Sequence, residues 1–211
     1  MILSEFLTNP IGAIFFLMCI VIAVTVHEFS HAKAADNLGD PTAQTLGRIT
    51  LNPLAHLDPV GSLLFVIFGF GWGKPVPYDP YNLKNPRRDS AMIALAGPAS
   101  NFVMAIAASL ILHFFIGGEA ALTNISSFFL TTFVWTNLVL GIFNFIPIAP
   151  LDGFRIIGGI LPENQADEWQ SLERYGFLLL IFFILPFAGG RSMLQTFISP
   201  VISFFAGVLL P

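Results

Sequence analysis

The sequence predicts an all-α polytopic membrane protein: a three-helix core, a re-entrant or extended segment, and two C-terminal helices. Three observations carry that prediction. The 211-residue chain is 55% hydrophobic and only 10% charged, whereas a soluble domain carries about 25% charged residues. Its apolar residues, 23 phenylalanines among them, gather in long runs, as helices solvated by lipid require. Its longest polar stretches, 36–59, 73–90 and 162–174, are each too short to enclose a core of their own. The net charge of −4 is small, and no basic tract points to nucleic acid. A single cysteine, Cys19, excludes an internal disulfide and a cysteine-based metal cage, and reads as a small apolar packer.

The first run, 11–35, is long enough to span. The preceding MILSEFLTNP carries Glu5 and no positive charge, so the run reads as a retained span rather than a cleaved leader. The second, Val60–Trp72, covers about 20 Å of a hydrocarbon core of roughly 30 Å. The proline-rich WGKPVPYDPYNLKNP follows it, so 60–90 is expected to re-enter and return, covered by protein or a water cavity. Spans are expected over 91–116 and 125–150. The last run, 175–210, is broken by Pro186, Gly189, Gly190 and Arg191 and predicts two shorter helices. This divides the chain into a core, 1–155, and a C-terminal helical hairpin, 156–211. With the N-terminus outside, Lys33, Arg48, Lys74, Lys84, Arg87, Arg88, Arg155 and Arg174 fall on the cytoplasmic side. Arg191 falls outside with Glu5 and Glu119, the asymmetry of the positive-inside rule.

HEFSH, 27–31, interrupts the first span with ionisable groups, each expensive in hydrocarbon. On a helix, His27 and His31 are separated by about 40° and 6 Å, so their imidazoles point the same way. Two neutral imidazoles so placed suit zinc, with Glu28 beside them as a general base for a zinc-bound water. The plainer alternative is a polar helix end that snorkels to the headgroups. A catalytic zinc needs a third protein ligand, and NFIPIAPLDGFR, 144–155, offers Asp152. Pro147 and Pro150 distort the end of the fourth span there, although Asp-Gly alone is only a turn signal. His31 and Asp152 each stand at the C-terminal end of a helix, and both must lie about 2 Å from one ion. Helices 11–35 and 125–150 must therefore run parallel, with 91–116 returning between them and no net crossing within 36–90.

HEFSH, AGPASN at 96–101 and FNFIPIAPLDG at 143–153 together resemble the site-2 protease family of intramembrane zinc metalloproteases, in the right order over 11–155. The resemblance implies a three-helix catalytic core, one zinc held by His27, His31 and Asp152, and Glu28 as base. It also implies that Asn144 positions substrate or stabilises the oxyanion. GRITLNPLAHLDPVG, 47–61, is similar to the compact prokaryotic branch, which implies a chain without PDZ or CBS domains. The implied activity is endopeptidase cleavage within or next to transmembrane segments of membrane-protein or peptide substrates. The implied location is the lipid bilayer of a prokaryotic plasma membrane, with the site towards the cytoplasm. A homo-oligomer is left open.

Other residues carry two readings each. His56, beside Asp58, is an accessory metal ligand or proton relay, or a structural hydrogen bond that pins a loop. GRITL (47–51) and KPVPY (74–78) are strand edges for an unwound substrate, or ordinary connectors. Lys33 and Asp36 could line a water entry, and His113 reads as an interfacial anchor. Gly97, Ala99 and Ser100 permit close helix approach, with Asn101 adding an interhelical hydrogen bond. Trp72, Trp135 and Trp169 read as interface or lipid-facing aromatics. Two other functions fit part of the pattern. A catalytically silent protein that binds transmembrane segments would not need an intact Glu28. A metal transporter usually shows paired repeats, and none is evident.

Overall fold

Asn9 starts the first helix, α1 (Pro10–Asn37), by accepting the Gly12 N–H on its side chain at 3.0 Å. Pro10 follows at a position where its missing N–H costs nothing. The 28 residues of α1 reach about 42 Å, more than the thickness of a hydrocarbon core. The computed structural model describes residues 8–116, 125–186, 190 and 192–211. Glu5, Glu119, Gly189 and Arg191, which entered the charge and breaker arguments, lie outside the described residues.

The chain leaves α1 through Gly39, at φ 105°, a backbone state that glycine adopts without steric cost. Asp40 then ties down the return. Its carboxylate accepts the Thr42 hydroxyl and N–H, the Asn82 amide and the Asp79 N–H. A single helical turn, Thr42–Thr45, precedes α2 (Pro59–Phe68), which Asp58 caps by accepting from Gly61 N. The ten residues of α2 cover about 15 Å. Among the described residues no β-strand forms. GRITL passes through a turn and a bend, KPVPY has no regular secondary structure, and an isolated bridge joins Leu57 to Gly73.

α3 (Pro86–Ile111) starts with Asp89 buried in its first turn, accepting the Asn85 N–H at 2.8 Å, where the helix dipole favours a negative charge. Leu112–Ile116 extends it as a π-helical turn. α4 is Ile125–Asn144. Helices α1, α3 with its extension, and α4 are each long and apolar enough to cross a bilayer, and the chain is an integral membrane protein. The segment expected to run helical to 150 stops at Asn144, because Pro147 and Pro150 have no N–H to continue the ladder.

Contacts along the bundle fix the helix directions. Phe15 meets Phe129 edge-on at 5.5 Å, and deeper in the bundle His27 reaches Asn101, which reaches Asn137. Going on along α1, His31 reaches Ile93 O. Positions on α1 and α4 rise together while those on α3 fall, so α1 and α4 are parallel and α3 is antiparallel between them. Ala35, Leu83 and Ile93 pack as one buried cluster. Residues 38–85 therefore begin and end at the same end of the bundle.

Beyond the turn, α5 (Asp152–Ile160) lies against α3, with Gly159 facing Ala91, and α6 (Glu163–Ser171) follows. The last apolar run divides as expected into α7 (Gly176–Ile184) and α8 (Met193–Leu209). α8 closes the far side of the core, where Ile202 and Ala206 pack on Ala105, Ala108, Val134, Leu138 and Ile142. Trp169, expected at the interface or facing lipid, is half-buried; it stacks on Phe154 at 5.0 Å and donates its Nε1–H to Phe154 O, pinning α6 to α5.

Candidate metal centre

His27 and His31 lie one helical turn apart on α1, and both are buried. Asp152 reaches them as the first residue of α5. The turn that presents it is tight: a Cβ on the following Gly153 would stand 2.2 Å from Phe145 O, so only glycine lets α5 start against the end of α4. Asp152 Oδ2 is 3.2 Å from His27 Nε2 and 3.3 Å from His31 Nε2, and the two nitrogens are 3.0 Å apart. These are the described residues whose ligand atoms gather as a metal would need.

The hydrogen bonds behind the imidazoles determine what the three atoms can do. His31 Nδ1 lies 2.7 Å from Ile93 O, which can only accept, so Nδ1 carries the proton. His27 Nδ1 lies 2.7 Å from Asn101 Oδ1. The Asn101 amide nitrogen is already committed to Ala23 O and Asn137 Oδ1, so this Nδ1 donates as well. Both Nε2 atoms then present lone pairs to a carboxylate oxygen, with no proton among the three. Asp152 Oδ2 is buried without a hydrogen-bond donor. Three lone pairs at this spacing repel one another unless a cation stands between them. Ligands of a tetrahedral zinc ion, about 2.0–2.1 Å from the metal, stand about 3.3 Å apart. The donor set therefore fits a divalent ion of zinc's size and geometry.

Gly97, on α3, makes room for the pair. A Cβ there would lie 2.3 Å from His31 Nε2 and 2.7 Å from His27 Cε1. Sequence reasoning assigned this glycine to helix packing, but the imidazoles are what approach it. Behind His27, Asn101 and Asn137 are both fully buried, and Asn137 passes its own amide proton to Phe133 O. This ladder crosses all three spans. Asn101 stood out in the sequence only as a possible interhelical bond, and Asn137 carried no signal.

The other expected site residues lie as follows. Glu28, beside His27, accepts the Val76 N–H on Oε2 at 3.2 Å. Asn144 ends α4 with its amide donating back to Leu140 O at 3.0 Å. His56 is fully buried and its Nε2 donates to Thr50 O at 2.8 Å, so it pins its loop and does not join the gathered ligands. Lys33 and Asp36 pair with each other at 2.7 Å. Arg48, counted from sequence only as a cytoplasmic charge, is buried, with its guanidinium donating to the carbonyls of Lys74 and Pro75.

The chain is similar to several known proteins. The model of Peptidase family M50 matches residues 113–186, a stretch that contains Asn144 and Asp152. YwhC of Bacillus subtilis (strain 168), named as a zinc metalloprotease, is 37% identical over 191 residues, covering 87% of this chain and 87% of the relative. Rip2 of Mycolicibacterium smegmatis, also named so, is 30% identical over 179 residues, covering 81% of this chain and 66% of the relative. Rip2 of Mycobacterium tuberculosis (strain H37Rv) is 30% identical over 178 residues, with the same shares. No solved structure matches the chain.

Proposed function

This chain belongs to peptidase family M50, and from that premise we propose that it is an intramembrane zinc endopeptidase, cutting membrane-protein substrates within or next to their transmembrane segments. The observation that carries this reading is the convergence of two imidazole lone pairs and an unpaired carboxylate oxygen inside a membrane-spanning bundle. His27, His31 and Asp152 hold the ion, and all three lie within the expected catalytic core, 1–155. Zinc, when bound, supplies Lewis acidity, which polarises a scissile carbonyl and acidifies water. Glu28, next to His27 on the same helix, accepts the water proton and delivers it to the leaving amine. Asn144, at the mouth of the turn that carries Asp152, offers an uncharged donor to the carbonyl oxygen as it becomes an oxyanion.

The site lies at the end of the bundle where α1 exits and α3 enters. Lys33, Lys84, Arg87 and Arg88 are exposed at that end, and this charge favours the cytoplasmic face of a prokaryotic plasma membrane. Water reaches a site at that depth over a shorter path than one at the bilayer centre.

The test uses the full chain in detergent with a model transmembrane peptide. One zinc per chain is expected, lost in His27→Ala, His31→Ala and Asp152→Ala. Glu28→Gln should keep the zinc and lose about 10²–10⁴-fold in cleavage rate. Stoichiometric zinc with Glu28→Gln cleaving within a few-fold of wild type would refute the assignment. Zinc binding with no cleavage of any such peptide would favour the catalytically silent alternative.

A further inference from the structure

We propose that Arg48 is a positioning residue for Glu28, acting through the main chain of residues 74–76. The inference rests on the reading of Glu28 as the general base. Arg48 is buried at 5% exposure, yet among the described residues it makes no ion pair with a carboxylate. Its guanidinium instead donates to two consecutive carbonyls, Nη2 to Lys74 O and Nη1 to Pro75 O at 3.0 Å. A planar fork that holds neighbouring carbonyls dictates the path of the chain between them. Desolvating a cation is expensive, and a loop that needed only a brace could obtain it from a neutral side chain.

The rest of the loop supports the fork. Lys74 N–H donates to His56 O at 2.7 Å, and His56 Nε2–H donates to Thr50 O, closing the loop that carries Arg48. Leu57 bridges to Gly73. Pro75 and Pro77 stiffen the segment from within. All of this converges on one free N–H, that of Val76, which donates to Glu28 Oε2. Glu28 Oε1 faces the same segment: a Cβ at Gly73 would stand 3.6 Å from it. One carboxylate oxygen is held by a fixed donor while the other stays free to take a proton, so the base is oriented before any substrate arrives. Preorganised geometry of this kind decides rate, and a misplacement of about 1 Å can cost about 100-fold.

Val76→Pro is the cleanest perturbation, because it deletes a single N–H within a segment already flanked by prolines. Arg48→Met removes the fork but keeps an apolar stem, and Arg48→Lys keeps the charge without the fork. Each variant is made in the full chain and assayed for zinc content and for kcat and KM on a model transmembrane peptide. The Val76 amide signal is followed in ¹⁵N-valine-labelled protein in micelles. Val76→Pro and Arg48→Met should lower kcat about 10–100-fold, with zinc intact and KM within about threefold. Arg48→Lys should recover part of the loss. The double variant should be no worse than the more impaired single one, since both act along the same path. The Val76 amide signal should move in Arg48→Met and in Glu28→Ala.

A Val76 amide indifferent to Glu28→Ala overturns the inference whether or not the protein turns over. So does an unchanged or raised kcat in Val76→Pro, or a loss confined to KM or zinc content. A wild-type protein that cuts nothing while the amide responds as expected would instead overturn the protease reading and leave the clamp on Glu28 standing.

Discussion

Replacing Gly97 by alanine puts a methyl group where two imidazoles already meet. The added carbon would lie 2.3 Å from His31 Nε2, 2.5 Å from His31 Cε1 and 2.7 Å from His27 Cε1. Ordinary contact begins near 3.4 Å, so the shortfall is about 1 Å, against both rings at once. Three responses are open: the rings rotate, α3 backs away from α1, or both. Rotation breaks the bonds from His27 to Asn101 and from His31 to Ile93 O, which aim the two Nε2 lone pairs. Loss of such supporting bonds typically costs 10–100-fold in metal affinity. Separating the helices costs about 1–3 kcal/mol of overpacking strain. Gly97→Ala should therefore weaken zinc binding about 100-fold or more, while the protein stays folded enough to extract and purify. Competition with a chelator of known affinity measures the first effect, and thermal unfolding in detergent the second. Wild-type zinc affinity in a folded Gly97→Ala protein would refute the placement of the imidazoles against this glycine.

Asn101→Leu should lower zinc affinity by about 10–100-fold, measured by the same competition, because His27 loses the acceptor that fixes its tautomer. Burial works against the charge on Asp40, but hydrogen bonds from Thr42, Asn82 and the Asp79 N–H outweigh it and hold the carboxyl below its usual value of 3.8. A depressed value means stability that is complete above the ordinary range and lost as pH falls through the folded one. Asp40→Asn should thus cost about 1–3 kcal/mol at pH 7, and the gap to wild type, read by thermal unfolding, should narrow below about pH 4. Cysteines at the exposed positions Thr45 and Asn85, in a Cys19→Ala background, should label with an impermeant thiol reagent from the same membrane face. Labelling from opposite faces would place α2 across the bilayer and separate the ends of 38–85.

The gathering of His27, His31 and Asp152 was legible because each leaves a local mark. His27 and His31 share a helical face by their spacing, and Asp152 sits in a proline-broken segment where a carboxylate in an apolar context needs a reason. The parallel run of α1 and α4 followed from asking both to reach one ion. What could not be read depends on contacts between distant positions. Nothing around Asn137 tells of an amide received from Asn101, and nothing in GRITL tells that Arg48 turns inward to the carbonyls of Lys74 and Pro75. The partners of Trp169 were hidden for the same reason: only the packing of α6 on α5 supplies its stacking ring and its acceptor.

The amide ladder from His27 through Asn101 and Asn137 to Phe133 O bears on how such a chain comes into being. The spans enter the bilayer one after another, and each is apolar enough to remain there alone. A lone α1 carries two imidazoles free to turn and to hold their protons on either nitrogen. With α3 docked, Ile93 O and Asn101 select one proton position on each ring, but the carboxylate is still missing. Only when α4 has docked behind α3 does Asn137 fix the Asn101 amide, and only then does the turn that follows bring up Asp152. A chain interrupted anywhere before that turn is an incomplete chelator. The full set of gathered ligand atoms is thus deferred until the turn that follows α4 is in place.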